Sequence, residues 1–166
     1  MIVNANALLQ AAPIKNMLTT KERNHGVSHG LAEAGYDIRI KQSVEFRPEE
    51  KGGGAVYLDG LRRPGRFTIA SAIEEFEMPE NLVGVVHDKS TWARHGLSVF
   101  NTVLEPSWKG FLTLELVYHG NYNLYIPAGA GIAQILFSQI MVSGHYDGKY
   151  QNQEDRPVSA IMEGAQ

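Results

Sequence analysis

Phe111-Leu112-Thr113-Leu114-Glu115-Leu116-Val117-Tyr118 decides the fold, because its apolar residues recur with a period of two. Leu112, Leu114, Leu116 and Tyr118 share one face, and Phe111, Thr113, Glu115 and Val117 share the other. That is the pattern of a strand with one face on a core. Shorter runs of the same kind stand at 36–40, 66–70, 82–86, 97–100, 124–126 and 132–137, separated by turn residues. Their spacing predicts a mainly β chain, built as a sandwich or distorted barrel.

Around these strands the sequence predicts little helix. Residues 4–18 carry a helical pattern interrupted at Pro13, with Leu8, Leu9, Ile14 and Leu18 as its buried side. The polar stretch 21–30 reads as a loop. Lys51-Gly52-Gly53-Gly54 reads as a loop tip and not as a phosphate cradle, because no Gly-Lys-Ser/Thr follows it. A second short helix is expected after the 82–86 strand, where Asp88, Ser90 or Thr91 can cap the N-terminus and Gly96 suits a left-handed C-terminal cap.

Composition narrows the class of function. At 166 residues and 43% hydrophobic content the chain reads as one domain, 1–166, large enough for a substantial core. A formal charge of −3 without basic clusters argues against a nucleic acid polymer or a membrane surface as partner. No cysteine is present, so there is no disulfide and no thiolate metal site, which fits a reducing compartment. Met1-Ile2-Val3 leads into no basic segment and no long apolar run, so the expectation is a non-exported, cytoplasmic protein.

Chemistry concentrates between Asp88 and Glu115. Glu115 is a carboxylate in mid-strand with apolar neighbours, and burial of such a group raises its pKa toward a range where it can both accept and donate a proton. An open, wetted face would explain the same pattern. Lys89 at a helix N-terminus suits an anion, and Ser90 and Arg94, four apart, emerge on one face of a helix. An ordinary capped turn with two solvated bases accounts for that segment equally well. His25 and His29 are also four apart, but Gly26 and Gly30 beside them favour a loop over a metal site.

In order along the chain, five pieces resemble the dCTP deaminases, which share their fold with the trimeric dUTPases. Lys89-Ser90-Thr91-Trp92-Ala93-Arg94-His95-Gly96-Leu97 resembles the motif R-S-S-x-A-R-x-G-L. Ala34-Gly35-Tyr36-Asp37-Ile38-Arg39-Ile40 is similar to the first motif of the superfamily, and Glu105-Pro106-Ser107-Trp108-Lys109-Gly110 with Thr113-Leu114-Glu115 to its D-P-x-W-x-G and (V/T)-L-E element. Gly129-Ala130-Gly131-Ile132-Ala133-Gln134-Ile135 resembles P-G-x-x-I-x-Q, and Lys149-Tyr150-Gln151-Asn152-Gln153 resembles K-Y-x-x-Q. Five motifs in order make a specific signal.

The resemblance implies a dUTPase-like fold and hydrolytic deamination of dCTP to dUTP and ammonia. Zinc deaminases carry H-x-E with P-C-x-x-C, and a chain without cysteine must do this chemistry without zinc. One carboxylate then takes the proton of water and relays it, and by resemblance that carboxylate is Glu115, with Ser90 orienting the water and Arg94 holding the carboxylate. Lys89 and Lys149 are implied for the triphosphate, Gln153 and Tyr146 for closure over it, and Glu105 for the sugar. Thr91 and Thr113 are further substrate-facing candidates. Magnesium on the nucleotide phosphates, and a homotrimer with sites at subunit interfaces, are implied as well. No metal ligand is expected from the protein itself.

The chain departs from the family pattern in three places. Lys89 stands for an arginine, Glu105 for an aspartate, and the segment between Thr102 and Glu105 is shorter. Two other readings therefore stay open. One is a dUTP diphosphatase, or a bifunctional enzyme, using Glu105 on phosphorus; against it, the sequence ends Ile161-Met162-Glu163-Gly164-Ala165-Gln166 with no glycine-rich arm. The other is a non-enzymatic nucleotide-binding sandwich, which has no need of Glu115 in mid-strand.

Overall fold

The computed structural model describes residues 1–49, 53–162 and 164. Lys51 and Gly52 of the glycine tip, and Glu163, Ala165 and Gln166 of the last segment, lie outside the described residues.

The first third of the chain supplies β1 (Ile2–Val3), helix α1 (Ala5–Ala11), β2 (Lys21–Asn24), β3 (Val27–Leu31) and β4 (Tyr36–Arg39). A three-stranded arm follows, β5 (Val44–Pro48), β6 (Gly54–Leu58) and β7 (Leu61–Pro64). Next come β8 (Phe67–Glu77), β9 (Leu82–Asp88), helix α2 (Ser90–Arg94), β10 (Leu97–Val99) and β11 (Val103–Leu104). The chain then runs through β12 (Lys109–Tyr118), β13 (Leu124–Ile126) and β14 (Gly131–Gln139).

Among the described residues these strands form three antiparallel sheets. The largest has the order β11-β9-β14-β4-β3-β2 with β1 on β14, the second is β10-β12-β8, and the third is β13-β5-β6-β7. They stay open and pack face to face, so of the two expected forms the sandwich is the one observed. Tyr36 and Ile38 of β4, Phe46 of β5, Phe76 of β8, Leu114, Leu116 and Tyr118 of β12, and Ile135 and Phe137 of β14 are sealed between them. Each such side chain stabilises the fold by roughly 1.5–3 kcal/mol relative to exposure. The decisive strand behaves as its alternation predicts, with Leu112, Leu114, Leu116 and Tyr118 all in the core.

Several expectations are corrected. Residues 21–30 are a hairpin and not a loop: β2 and β3 pair in register from Lys21 with Gly30 to Asn24 with Val27. His25 and Gly26 form the two-residue turn with φ of 53° and 77°, the positive pair that matches the twist of flanking strands. The helical pattern of 4–18 yields only Ala5–Ala11, closed by Ala12 in the left-handed conformation. Leu8 and Ile14 are buried, but Ile14 bridges Phe76 of β8, and Leu9 and Leu18 are only half-buried. The strand expected at 66–70 runs on to Glu77, and the arm β5–β7 was not anticipated. Among the described residues no helix is long and apolar enough to cross a membrane.

Candidate functional site

A cavity of about 640 Å³ opens where β8 and β12 pair, beneath the segment that leads from β11 into β12. Glu115 lies opposite Ile69 of β8. Its surroundings are mostly apolar, with Ile69, Leu104, Trp108 and Leu112 among the cavity walls. The carboxylate is half-buried, and its Oε2 is sealed from solvent without a hydrogen-bond partner. Burial pushes the Glu115 carboxyl above the ordinary glutamate range, opposed only by its own backbone N–H. A carboxyl raised in this way is better suited than a free glutamate to hold and pass on a proton.

Leu112 and Thr113 both line the cavity although they are adjacent in β12. A register slip explains it, since β12 advances from Phe111 to Thr113 while β8 advances from Glu75 to Ser71. The bulged β8 bends there, and Ala72 pairs with Ile40 of the opposing layer.

A C-terminal strap closes the other wall. Trp108 Nε1 donates to the Tyr150 carbonyl at 2.6 Å, Lys109 N to Gln151 Oε1 at 2.8 Å, and Phe111 N to the Gln153 carbonyl at 3.1 Å. Gly110 permits this approach: it has φ of +126°, and a Cβ there would stand 2.5 Å from Gln153 N. Thr113 Oγ1 donates to Gln153 Oε1 at 3.2 Å and accepts from Val158 N at 3.0 Å. Tyr146 N donates to the Pro106 carbonyl and to Ser107 Oγ, which fixes its ring against the cavity.

One chain therefore brings together Glu105, Thr113, Glu115, Tyr146 and Gln153. It leaves Lys89, Ser90, Thr91, Arg94 and Lys149 outside the cavity lining. Ser90, Thr91 and Arg94 are exposed on α2, and Arg94 Nη1 donates to the Ser90 carbonyl at 3.1 Å. Lys149 Nζ donates to the Ile161 carbonyl at 2.5 Å.

The structure places Lys89 differently from a free phosphate ligand. It is 8% exposed, and its ammonium pairs with Asp37 Oδ2 and donates to Ser28 Oγ at 3.0 Å. Helix α2 is a single turn whose N-cap is Lys89 without a side-chain cap bond. Asp88, expected as a cap, instead accepts from Val99 N at 2.7 Å. Gly96, with φ of +88°, does occupy the left-handed position after the helix. Asp37→Ala should cost about 3–5 kcal/mol in a urea titration, because it strands a buried ammonium. Adding Lys89→Met should recover much of that loss; without recovery, the pair carries no charge penalty of this size.

His25 sits at the hairpin turn, and buried His29 holds Nε2 3.6 Å from Glu22 Oε2. No group of three or more metal-ligating side chains occurs among the described residues. Arg63, Phe67, Trp108 and Tyr150 also line the cavity and were not singled out from sequence. Trp108 and Tyr150 lay inside quoted motifs and could have been found there. Arg63 and Phe67 depend on where the arm and β8 come to rest, which no local pattern shows.

Against known proteins, the model of the dCTP deaminase-like family matches residues 9–140. A dCTP deaminase of Campylobacter hominis is 35% identical, covering 91% of this chain and 92% of its own length. One from Acinetobacter baylyi is 34% identical, covering 76% and 77% respectively. Among solved structures, the EIAV dUTPase covers 84% of this chain and 93% of its own at a TM-score of 0.52 and 17% identity. A Staphylococcus bacteriophage 80alpha dUTPase has the same TM-score and identity, covering 81% and 91%. At that identity the two structures speak to the fold alone.

Proposed function

This chain belongs to the dCTP deaminase-like family, and we propose that it hydrolyses the 4-amino group of dCTP, giving dUTP and ammonia. The observation that carries this reading is Glu115, a carboxylate raised by burial, with one oxygen unpartnered, on the wall of a cavity large enough for a nucleotide. Water adds to C4 as Glu115 takes its proton. The carboxyl passes that proton to N3, then takes the remaining proton of the new C4 hydroxyl and gives it to the amine, so that the C4–N bond breaks, the C4 carbonyl forms and ammonia leaves. Glu105 faces the sugar, while Thr113, Tyr146 and Gln153 hold the strap against the bound nucleotide.

Ser90 and Arg94 would reach Glu115 from a neighbouring copy in a homotrimer. Two features of the single chain favour this. Arg94 is exposed and, among the described residues, bonded only to the Ser90 carbonyl, and none of those residues supplies Glu115 with a cation. Beside the cavity, Phe67 and Phe100 stack at 6.4 Å and remain about half exposed, as does Val103, an apolar surface suited to a second copy. Magnesium would arrive on the nucleotide phosphates, as the resemblance to the dCTP deaminases implies. The setting would be cytoplasmic.

A bifunctional or diphosphatase reading is favoured by one observation, that Glu105 lines the same cavity as Glu115. Incubation with dCTP and magnesium, with ammonia, dUTP, dUMP and pyrophosphate assayed separately, distinguishes the cases. Ammonia with accumulating dUTP is expected. Pyrophosphate without ammonia sinks the deaminase reading, both together mean a bifunctional enzyme, and binding without turnover leaves a nucleotide-binding module. A zinc-selective chelator should leave turnover intact while magnesium is supplied; loss that only zinc restores would end the carboxylate mechanism.

A further inference from the structure

Charge in the cavity, as one chain lines it, is the wrong sign for a polyanion. Its described walls carry two carboxylates, Glu105 and Glu115, and one cationic side chain, Arg63. The lysines with the strongest sequence claim on phosphate are committed elsewhere, Lys89 to Asp37 and Ser28, and Lys149 to the Ile161 carbonyl. Arg63 makes no hydrogen bond or ion pair among the described residues, whereas its neighbours Arg47 and Arg66 are held by Glu45 and by the Gly53 and Gly120 carbonyls.

The backbone beneath Arg63 is fixed. It stands on β7 in register with Val56 of β6, and the strand ends at Pro64, where Gly65 N donates to the Gly54 carbonyl at 2.9 Å. An exposed guanidinium on a held strand, at the wall of a cavity short of positive charge, is free to meet a ligand without giving up a partner.

We propose that Arg63 is a phosphate ligand of this cavity, supplied by the same chain as Glu115, which binds an oxygen of the nucleotide's polyphosphate. This rests on the reading that the cavity takes a nucleoside triphosphate. The arm β5–β7 thereby becomes part of the binding site, joining the C-terminal strap in holding the ligand.

The test compares the wild-type protein with Arg63→Gln and Arg63→Lys in dCTP turnover and in calorimetric binding of inorganic tripolyphosphate. Arg63→Gln should raise KM for dCTP and weaken tripolyphosphate binding by at least about tenfold, with the loss carried by KM rather than kcat. Arg63→Lys should recover part of it, as a point charge replacing a planar fork. Unchanged values in Arg63→Gln, beside an active wild type, overturn the inference and leave the proposed function standing. Tripolyphosphate bound through Arg63 by a wild type that does not turn over dCTP keeps this inference and overturns the function. Loss of assembly or of thermal stability in place of a KM effect assigns Arg63 to an interface and overturns it too.

Discussion

Glu115→Gln is expected to lower the rate of ammonia release from saturating dCTP by at least ~10²-fold, the scale of a lost general base. Nucleotide affinity should change little. The substitution keeps the shape of the side chain and one acceptor oxygen, so the cavity walls set by Ile69, Leu104 and Leu112 need not move. Near-normal turnover would show that the catalytic carboxylate lies elsewhere.

The same variant has a signature in stability that an exposed glutamate would lack. Folding raises the pKa of Glu115 through burial, so its ionised form destabilises the folded chain. That penalty is absent below the ordinary glutamate value and reaches full size as pH rises through the raised one. Glu115→Gln carries no such dependence. Its melting temperature relative to wild type should therefore climb between acid and neutral pH; a difference independent of pH would contradict the burial. The base must be ionised to act, so in Arg94→Gln the acid limb of activity should move to higher pH than in wild type, since the neighbouring cation no longer opposes burial.

Local patterns announced some of this molecule and were silent about the rest, for identifiable reasons. The β12 strand was legible because one face is wholly committed to the core, so its leucines and Tyr118 repeat without exception. Thr113 and Glu115 were legible as interruptions of the other face. The hairpin at 21–30 was missed because all of β2 is exposed, which removes the alternation that marks a half-buried strand. The arm was missed similarly at β7, where Leu61, Arg62, Arg63 and Pro64 are all exposed. Strand pairing rests there on backbone bonds and on the neighbouring β6, neither of which writes a side-chain pattern.

Site residues divide along another line. Glu105, Thr113 and Glu115 share the cavity because they lie along or just before one strand. Tyr146 and Gln153 join them through contacts reaching back some forty positions in sequence, as in the bond from Thr113 to Gln153. Lys89 shows the opposite failure. Its type and place in a motif suggested an exposed cation, but Asp37, on a strand remote in sequence, draws it inward. A lysine's partner is set by topology, so a motif that names the residue does not name what its ammonium touches.

Mixing two inactive variants should restore activity, and this outcome carries the assembly reading furthest. In the proposed homotrimer Glu115→Gln alone lacks the base, and Arg94→Gln alone lacks the cation proposed to hold it, so each variant by itself should fall to about 1% of wild type or below. If a site takes Glu115 from one subunit and Ser90 with Arg94 from its neighbour, random trimers contain sites in which both contributions are intact. Half the subunits supply Glu115 and half supply Arg94, so about a quarter of all sites should work. Equimolar co-refolding should then return about a quarter of wild-type turnover, some twentyfold or more above either parent. Subunit exchange must be verified by mass, using a tag on one variant. Mixed trimers that stay at the activity of their parents would mean that α2 and Glu115 serve a site within one chain, reached by a movement of α2 toward the cavity, and the shared site would have to be abandoned.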